Sequence, residues 1–267
     1  MADGSERRWS GSMPERYDRW LGPTVFRPFA VDLAARVAGR HPARILELAA
    51  GTGVLTRELV AGAGAAEVTA TDLNEAMVEF GRLQVPGAQW RQADALRLPF
   101  ADGGFDAVAC QFGVMFFPDR PAGFAEARRM LRPGGSLFVS VWATVAEHDF
   151  AAALVAGVER AFPDDPPSFV VAIPHGYAHP DVVAADLAAG GLACRSVETV
   201  TLEGRAASAA DVAAGFCTGT PLRAELEARG DLQAATAVIA AEMERRLGSG
   251  EVTGRMTAHV IEAVPAG

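Results

Sequence analysis

Glu47, Gly51, Asp72, Asp94 and Gln111 are the residues of this 267-residue chain whose types and spacing point to chemistry. The run Ile45-Leu46-Glu47-Leu48-Ala49-Ala50-Gly51-Thr52-Gly53 reads as a buried strand entering a glycine turn, with helix-like sequence from Val54 onward. Such a turn offers bare backbone to a nucleoside. Asp72 follows where a second strand should end, and a carboxylate there can accept hydrogen bonds from both ribose hydroxyls. A dinucleotide turn needs a third glycine three residues after Gly53, and Thr56 stands in its place. The turn therefore suits a nucleoside without a pyrophosphate.

The elements that must position these residues alternate from Arg44 onward. Strands are expected at 44–49, 67–71, 88–93, 105–110 and 135–142, with helical patterns at 53–62, 74–83 and 121–131. That order builds a parallel sheet covered by helices on both faces, with right-handed crossovers and ligands beyond the carboxyl ends of the strands. All five residues fall at or near those ends. Each also has a structural reading: Gly51 as a turn residue, Asp72 as a helix N-cap, Asp94 as a turn cap. Arg132-Pro133-Gly134-Gly135-Ser136 reads as a tight turn ahead of the fifth strand. Taken in order, the set is hard to explain by turns alone.

Composition narrows the partners. Acidic residues outnumber basic ones, 33 to 24, giving a net charge of -9, which disfavours nucleic acid. No apolar run is long enough for a bilayer, and the polar stretch Met1–Glu6 lacks the core of a signal peptide. Cys110, Cys194 and Cys217 show neither metal spacing nor a disulfide framework, and Cys217 reads as a small core residue. The expectation is a soluble cytoplasmic protein that takes a small molecule, with no nucleic acid, membrane or metal.

Residues 44–142 resemble the class I S-adenosylmethionine-dependent methyltransferases of small molecules, in the style of quinone-biosynthesis and natural-product (secondary metabolism) enzymes. The resemblance rests on Leu46–Gly53, Thr71–Met77, Ala93–Phe100, Phe105–Val108 and the long stretch Gln111–Gly135. It implies a Rossmann-like, seven-stranded, mostly parallel sheet, closed by an antiparallel pair at 194–203 and 256–264. It further implies that Glu47 and the backbone around Ala49, Gly51 and Gly53 hold the methionine end of the cofactor. By the same resemblance Asp72 takes the ribose and Leu73 and Met77 pack on the adenine. Asp94 and the Ala95 N–H read the adenine edge, and Gln111 lies near the methyl. Ala49 replaces the motif's first glycine. The product would be S-adenosylhomocysteine.

Substrate choice is expected at the two ends. Residues 1–40, with Trp9, Tyr17, Trp20, Phe26 and Phe29, read either as helix packing its apolar face on the domain or as an N-terminal helical lid over the substrate pocket, and by resemblance Tyr17 can sit over the methionine end of the cofactor. Residues 41–142 form the cofactor-binding core; 143–204 a lid loop, a helix and the sixth strand; 205–255 a helical cap insertion or homodimer surface; 256–267 the last strand. All belong to one structural domain on this reading. If the acceptor must lose a proton, His148 and His175 are candidate bases because imidazoles titrate near neutrality. Two other readings stay open: a cyclase or decarboxylase that binds the same cofactor without transferring methyl, and an NAD-dependent oxidoreductase.

Overall fold

The computed structural model describes residues 13–267. Trp9 lies outside the described residues. The strands are β1 (Arg44–Glu47), β2 (Glu67–Asp72), β3 (Gln89–Gln92), β4 (Phe105–Gln111), β5 (Leu131–Trp142), β6 (Leu192–Ala206) and β7 (Val252–Pro265). They form one sheet in the order β3-β2-β1-β4-β5-β7-β6. β1 pairs in parallel with β2 and β4, β2 with β3, and β4 with β5, while β7 runs antiparallel to β5. The chain starts at β1, walks outward to β3, then returns to β4 on the other side. That reversal is the switch point where ligands collect in open α/β sheets.

The helices are α1 (Met13–Arg16), a π-helical segment (Tyr17–Phe26), α2 (Arg27–Ala38), α3 (Val54–Gly62), α4 (Glu75–Gln84) and α5 (Arg120–Met130). Then follow α6 (Asp149–Ala161), α7 (Phe169–Ala172), α8 (Pro180–Ala189), α9 (Ala209–Gly219), α10 (Leu222–Glu227) and α11 (Leu232–Leu247). Asn74, Asp119, His148, Ser208 and Asp231 start α4, α5, α6, α9 and α11, each accepting a backbone N–H from the first turn. Pro23 lies inside the π-helical segment, where its missing N–H breaks a regular ladder. No described helix is long and apolar enough to cross a membrane.

The chain clusters into two compact units. One takes in the described residues up to Pro28, Ala143–Gly176 and Thr201–Thr257; the other takes in Phe29–Trp142, Tyr177–Val200 and Ala258–Gly267. In the second unit the central strands are apolar on both faces, as a covered parallel sheet requires: Ile45, Leu46, Ala107, Val108, Ala109 and Cys110 have no exposure. In the first, α6 and α9 pack on α11 and α9 packs on the π-helical segment.

Two sequence readings shift. β1 ends at Glu47 rather than residue 49, because Ala49 turns into the left-handed region at φ 51°. The run Arg132–Gly135 is a bulge inside β5 rather than a turn ahead of it: Leu131 lies opposite Phe105 and Ser136 opposite Ala107. Phe29, grouped with the leader aromatics on sequence, is core. It is 1% exposed and packs edge-on against Phe112 and Trp142 at 5.5 and 5.1 Å, and those two rings stack at 3.6 Å.

Candidate functional site

β1, β2 and β4 deliver Glu47, Asp72 and Gln111 to the same end of the sheet, the end where the chain turns at Ala49–Gly53. Gly51 donates its N–H to Asp72 Oδ2 at 2.8 Å, and Asn74 donates to Oδ1 at 2.8 Å. Asp72 thus ties the glycine turn to the start of α4, whose cap is Asn74 and not Asp72. A carboxylate has about four lone-pair sites, so these backbone bonds leave acceptor capacity over for a ribose hydroxyl. Burial pushes the Asp72 carboxyl up, while the N–H groups of Asn74, Gly51 and Leu73 pull it down.

Glu47 is 1% exposed and accepts from Thr56 Oγ1 at 2.7 Å. Burial raises its carboxyl to about 8 against the Thr56 bond, and the nearby Asp72 adds to the rise. Thr56, the residue standing where a dinucleotide fold keeps its third glycine, therefore holds Glu47 in place. Thr71 Oγ1 adds a bond to the Glu47 carbonyl at 2.8 Å.

The Ala49 methyl points at Gly113. A Cβ on Gly113 would lie 2.6 Å from Ala49 Cβ and 2.7 Å from Cys110 Sγ. The missing side chain at Gly113 makes room for the methyl that the turn would otherwise lack. Gly53, at φ 87°, backs onto the Trp90 ring.

On the outer strands, Leu73 is 36% exposed and Met77 3%. Asp94 is exposed and its Oδ1 accepts from Leu96 N–H at 2.9 Å, while Ala95 is buried. The Leu96–Phe100 loop is clamped to α5 by two residues the sequence reading passed over. Glu126 accepts from Leu98 N–H at 2.6 Å, and Arg129 donates to the carbonyls of Leu98 and Phe100 at 2.9 and 2.8 Å. Their only signal in sequence is an acid and a base three residues apart on one helix face.

The residues fit a nucleoside cofactor. A Cβ built on Gly51 meets nothing within 4 Å, so the turn's backbone is open there. Thr52 Oγ1 is buried with no hydrogen-bond partner among the described residues. An acid for hydroxyls and an exposed apolar Leu73 complete the set.

The three candidate catalytic residues belong to the other unit. His148 and His175 are buried with their rings 5.4 Å apart. Burial pushes His148 down to about 3 with help from His175, and burial lowers His175 as well. His148 Nδ1 accepts from Ala151 N–H at 3.2 Å and caps α6; His175 Nδ1 lies 2.7 Å from the Ala143 carbonyl. In both, desolvation disfavours the charged form of the imidazole. Tyr17 stacks on Phe26 at 4.8 Å. Cys110 is buried, and burial pushes its thiol up to about 12. Among the described residues no group of three or more His, Cys, Asp or Glu is gathered to hold a metal ion.

Residues 46–139 match a family model described as a methyltransferase domain. The chain is 38% identical over 133 residues to a demethylmenaquinone methyltransferase of Deinococcus radiodurans, covering 47% of this chain and 55% of that one. It is 34% identical over 145 residues to a ubiquinone/menaquinone biosynthesis C-methyltransferase of Paracoccus denitrificans, covering 52% and 50%. The chain spans about half the length of these curated relatives. The solved YcgJ protein of Bacillus subtilis shares the fold at 16% identity, with a TM-score of 0.58 over 90% of this chain and 99% of that one. In motif, relatives and sheet order, residues 46–139 are similar to a methyltransferase domain of the class I S-adenosylmethionine-dependent kind.

Proposed function

We propose that this chain moves a methyl group from S-adenosylmethionine to a small aromatic acceptor of the quinone type in its reduced, quinol form, by in-line displacement, leaving S-adenosylhomocysteine while the acceptor gives up one proton to water. The cofactor supplies an activated methyl on a sulfonium. The chain's own residues align and enclose. Asp72 accepts the ribose hydroxyls, Leu73 and Met77 flank the adenine, and Asp94 and the Ala95 N–H read its edge. Glu47, Ala49, Gly51, Gly53 and Gln111 border the methionine end. The observation that carries this reading is the open backbone of Gly51 held 2.8 Å from Asp72 in a turn without a third glycine. Alignment of this kind contributes roughly 7–11 kcal/mol in the best intramolecular models. The relatives' names support a quinone-type acceptor and, for the Paracoccus protein, a carbon acceptor.

Calorimetric titration with S-adenosylmethionine, S-adenosylhomocysteine and NADH tests the cofactor. Both sulfur nucleosides should bind and NADH should not; binding of NADH alone would overturn the proposal. Turnover with a naphthoquinol acceptor should release one S-adenosylhomocysteine per product. Acceptor conversion with the cofactor retained would instead identify a cyclase- or decarboxylase-type enzyme.

A further inference from the structure

Arg120 opens α5 directly after its cap, Asp119, at the end of the sheet to which β4 brings Gln111. Its guanidinium lies 4.2 Å over the ring of Tyr177. That ring is 3% exposed, and its hydroxyl donates to Asp186 at 2.7 Å, so the surface on which the guanidinium rests is fixed. A guanidinium carries five N–H donors in one plane. Here one of them, on Nη2, reaches the Met115 carbonyl at 3.3 Å. Nε is buried and meets no acceptor, and the group has no ion pair among the described residues. A buried charged donor left without an acceptor is costly, and native proteins keep few of them without a reason.

We infer that Arg120 takes an ionised or carbonyl oxygen of the acceptor and so determines its specificity. The inference rests on the methyltransferase reading and narrows its substrate class to acceptors with an oxygen on the ring, such as quinols and phenols. Tyr177 sets the plane of the fork and Asp186 sets Tyr177, and in the proposed complex the donors without a protein acceptor bond the oxygen. A lysine cannot reproduce this, because a point charge neither stacks nor forks.

The test is equilibrium binding of naphthohydroquinone and of naphthalene, without oxygen, to the full chain saturated with S-adenosylhomocysteine. Wild-type protein should prefer the hydroquinone. Arg120→Met should weaken hydroquinone binding about 10- to 100-fold, the range of a hydrogen bond to a charged group. Its affinity for naphthalene and for S-adenosylhomocysteine should stay at wild-type values, and it should still unfold in one cooperative transition. Arg120→Lys should recover part of the loss. If Arg120→Met does not fold, Arg120→Gln serves the same comparison. Unchanged hydroquinone affinity in the folded variant would overturn the inference, as would a wild-type protein without preference for the hydroquinone. Loss of S-adenosylhomocysteine binding in the variant would also overturn it. The cofactor titration of wild-type protein is read separately, so failure of the methyltransferase reading is distinguishable from failure at Arg120.

Discussion

Ala49 occupies a backbone conformation that costs an L-residue about 1–2 kcal/mol, and it does so at φ 51° in the turn between β1 and α3. Ala49→Gly should therefore raise stability by about 0.5–1 kcal/mol in urea titration, with S-adenosylhomocysteine affinity unchanged because the methyl points at Gly113. Gly113→Ala should cost about 1–3 kcal/mol by overpacking. Combining the two should recover part of that cost, since the Cys110 contact at 2.7 Å remains. Glu47 supplies a pH signature. Its folded carboxyl titrates near 8 against an ordinary 4.5, so the folded chain holds a proton the unfolded chain has released. The stability this contributes is fully present below 4.5 and is lost as pH rises through 8. Glu47→Gln should flatten that fall when ΔG is measured across the window.

The helix α6 depends on a histidine for its cap, and that ties the element to acid. His148 must be neutral to accept from Ala151, and burial holds it down to about 3 against an ordinary 6.5. Its contribution is present above 6.5 and is lost as pH falls toward 3, because the unfolded chain takes up the proton first. The loss should be on the order of a few kcal/mol. His148→Asn keeps a neutral cap and should flatten the acid slope. His148→Ala should also lower stability at pH 7 by about 1 kcal/mol through the lost cap. Denaturation curves of the three proteins between pH 3 and 7 check this. Between 4.5 and 6.5 the slopes of Glu47 and His148 oppose one another, so each is best read as a difference between variant and wild type.

Across the whole molecule, the proposed cofactor site links binding to folding through Asp72. S-adenosylhomocysteine at 100 times its Kd should add about 2.7 kcal/mol to stability and raise Tm accordingly. Asp72→Ala should remove that increment and lower cofactor affinity about 100-fold or more. The same change frees the Gly51 and Asn74 N–H groups, so the ligand-free protein should also lose roughly 1–3 kcal/mol. An Asp72→Ala protein that keeps the cofactor-induced Tm shift would remove Asp72 from the site.

Much of the molecule is written in short-range pattern. Alternating apolar runs, the glycine turn, and the caps at Asn74, Asp119, Ser208 and Asp231 are decided by residues within a few positions of each other, so the sequence by itself determined the order of strands and helices. It also determined which carboxylates end which strands. What it left open depends on neighbours far along the chain. The pairing of the Ala49 methyl with Gly113, the Thr56 bond that holds Glu47 and the Glu126–Arg129 clamp on the Leu96–Phe100 loop arise only when separate elements are packed together. The histidines show the reason most plainly. Their residue type predicts titration near neutrality, but the charge an imidazole carries is set by the water and polar groups around it. Only the tertiary structure decides that His148 and His175 are buried and that Arg120 is left with unused donors over Tyr177.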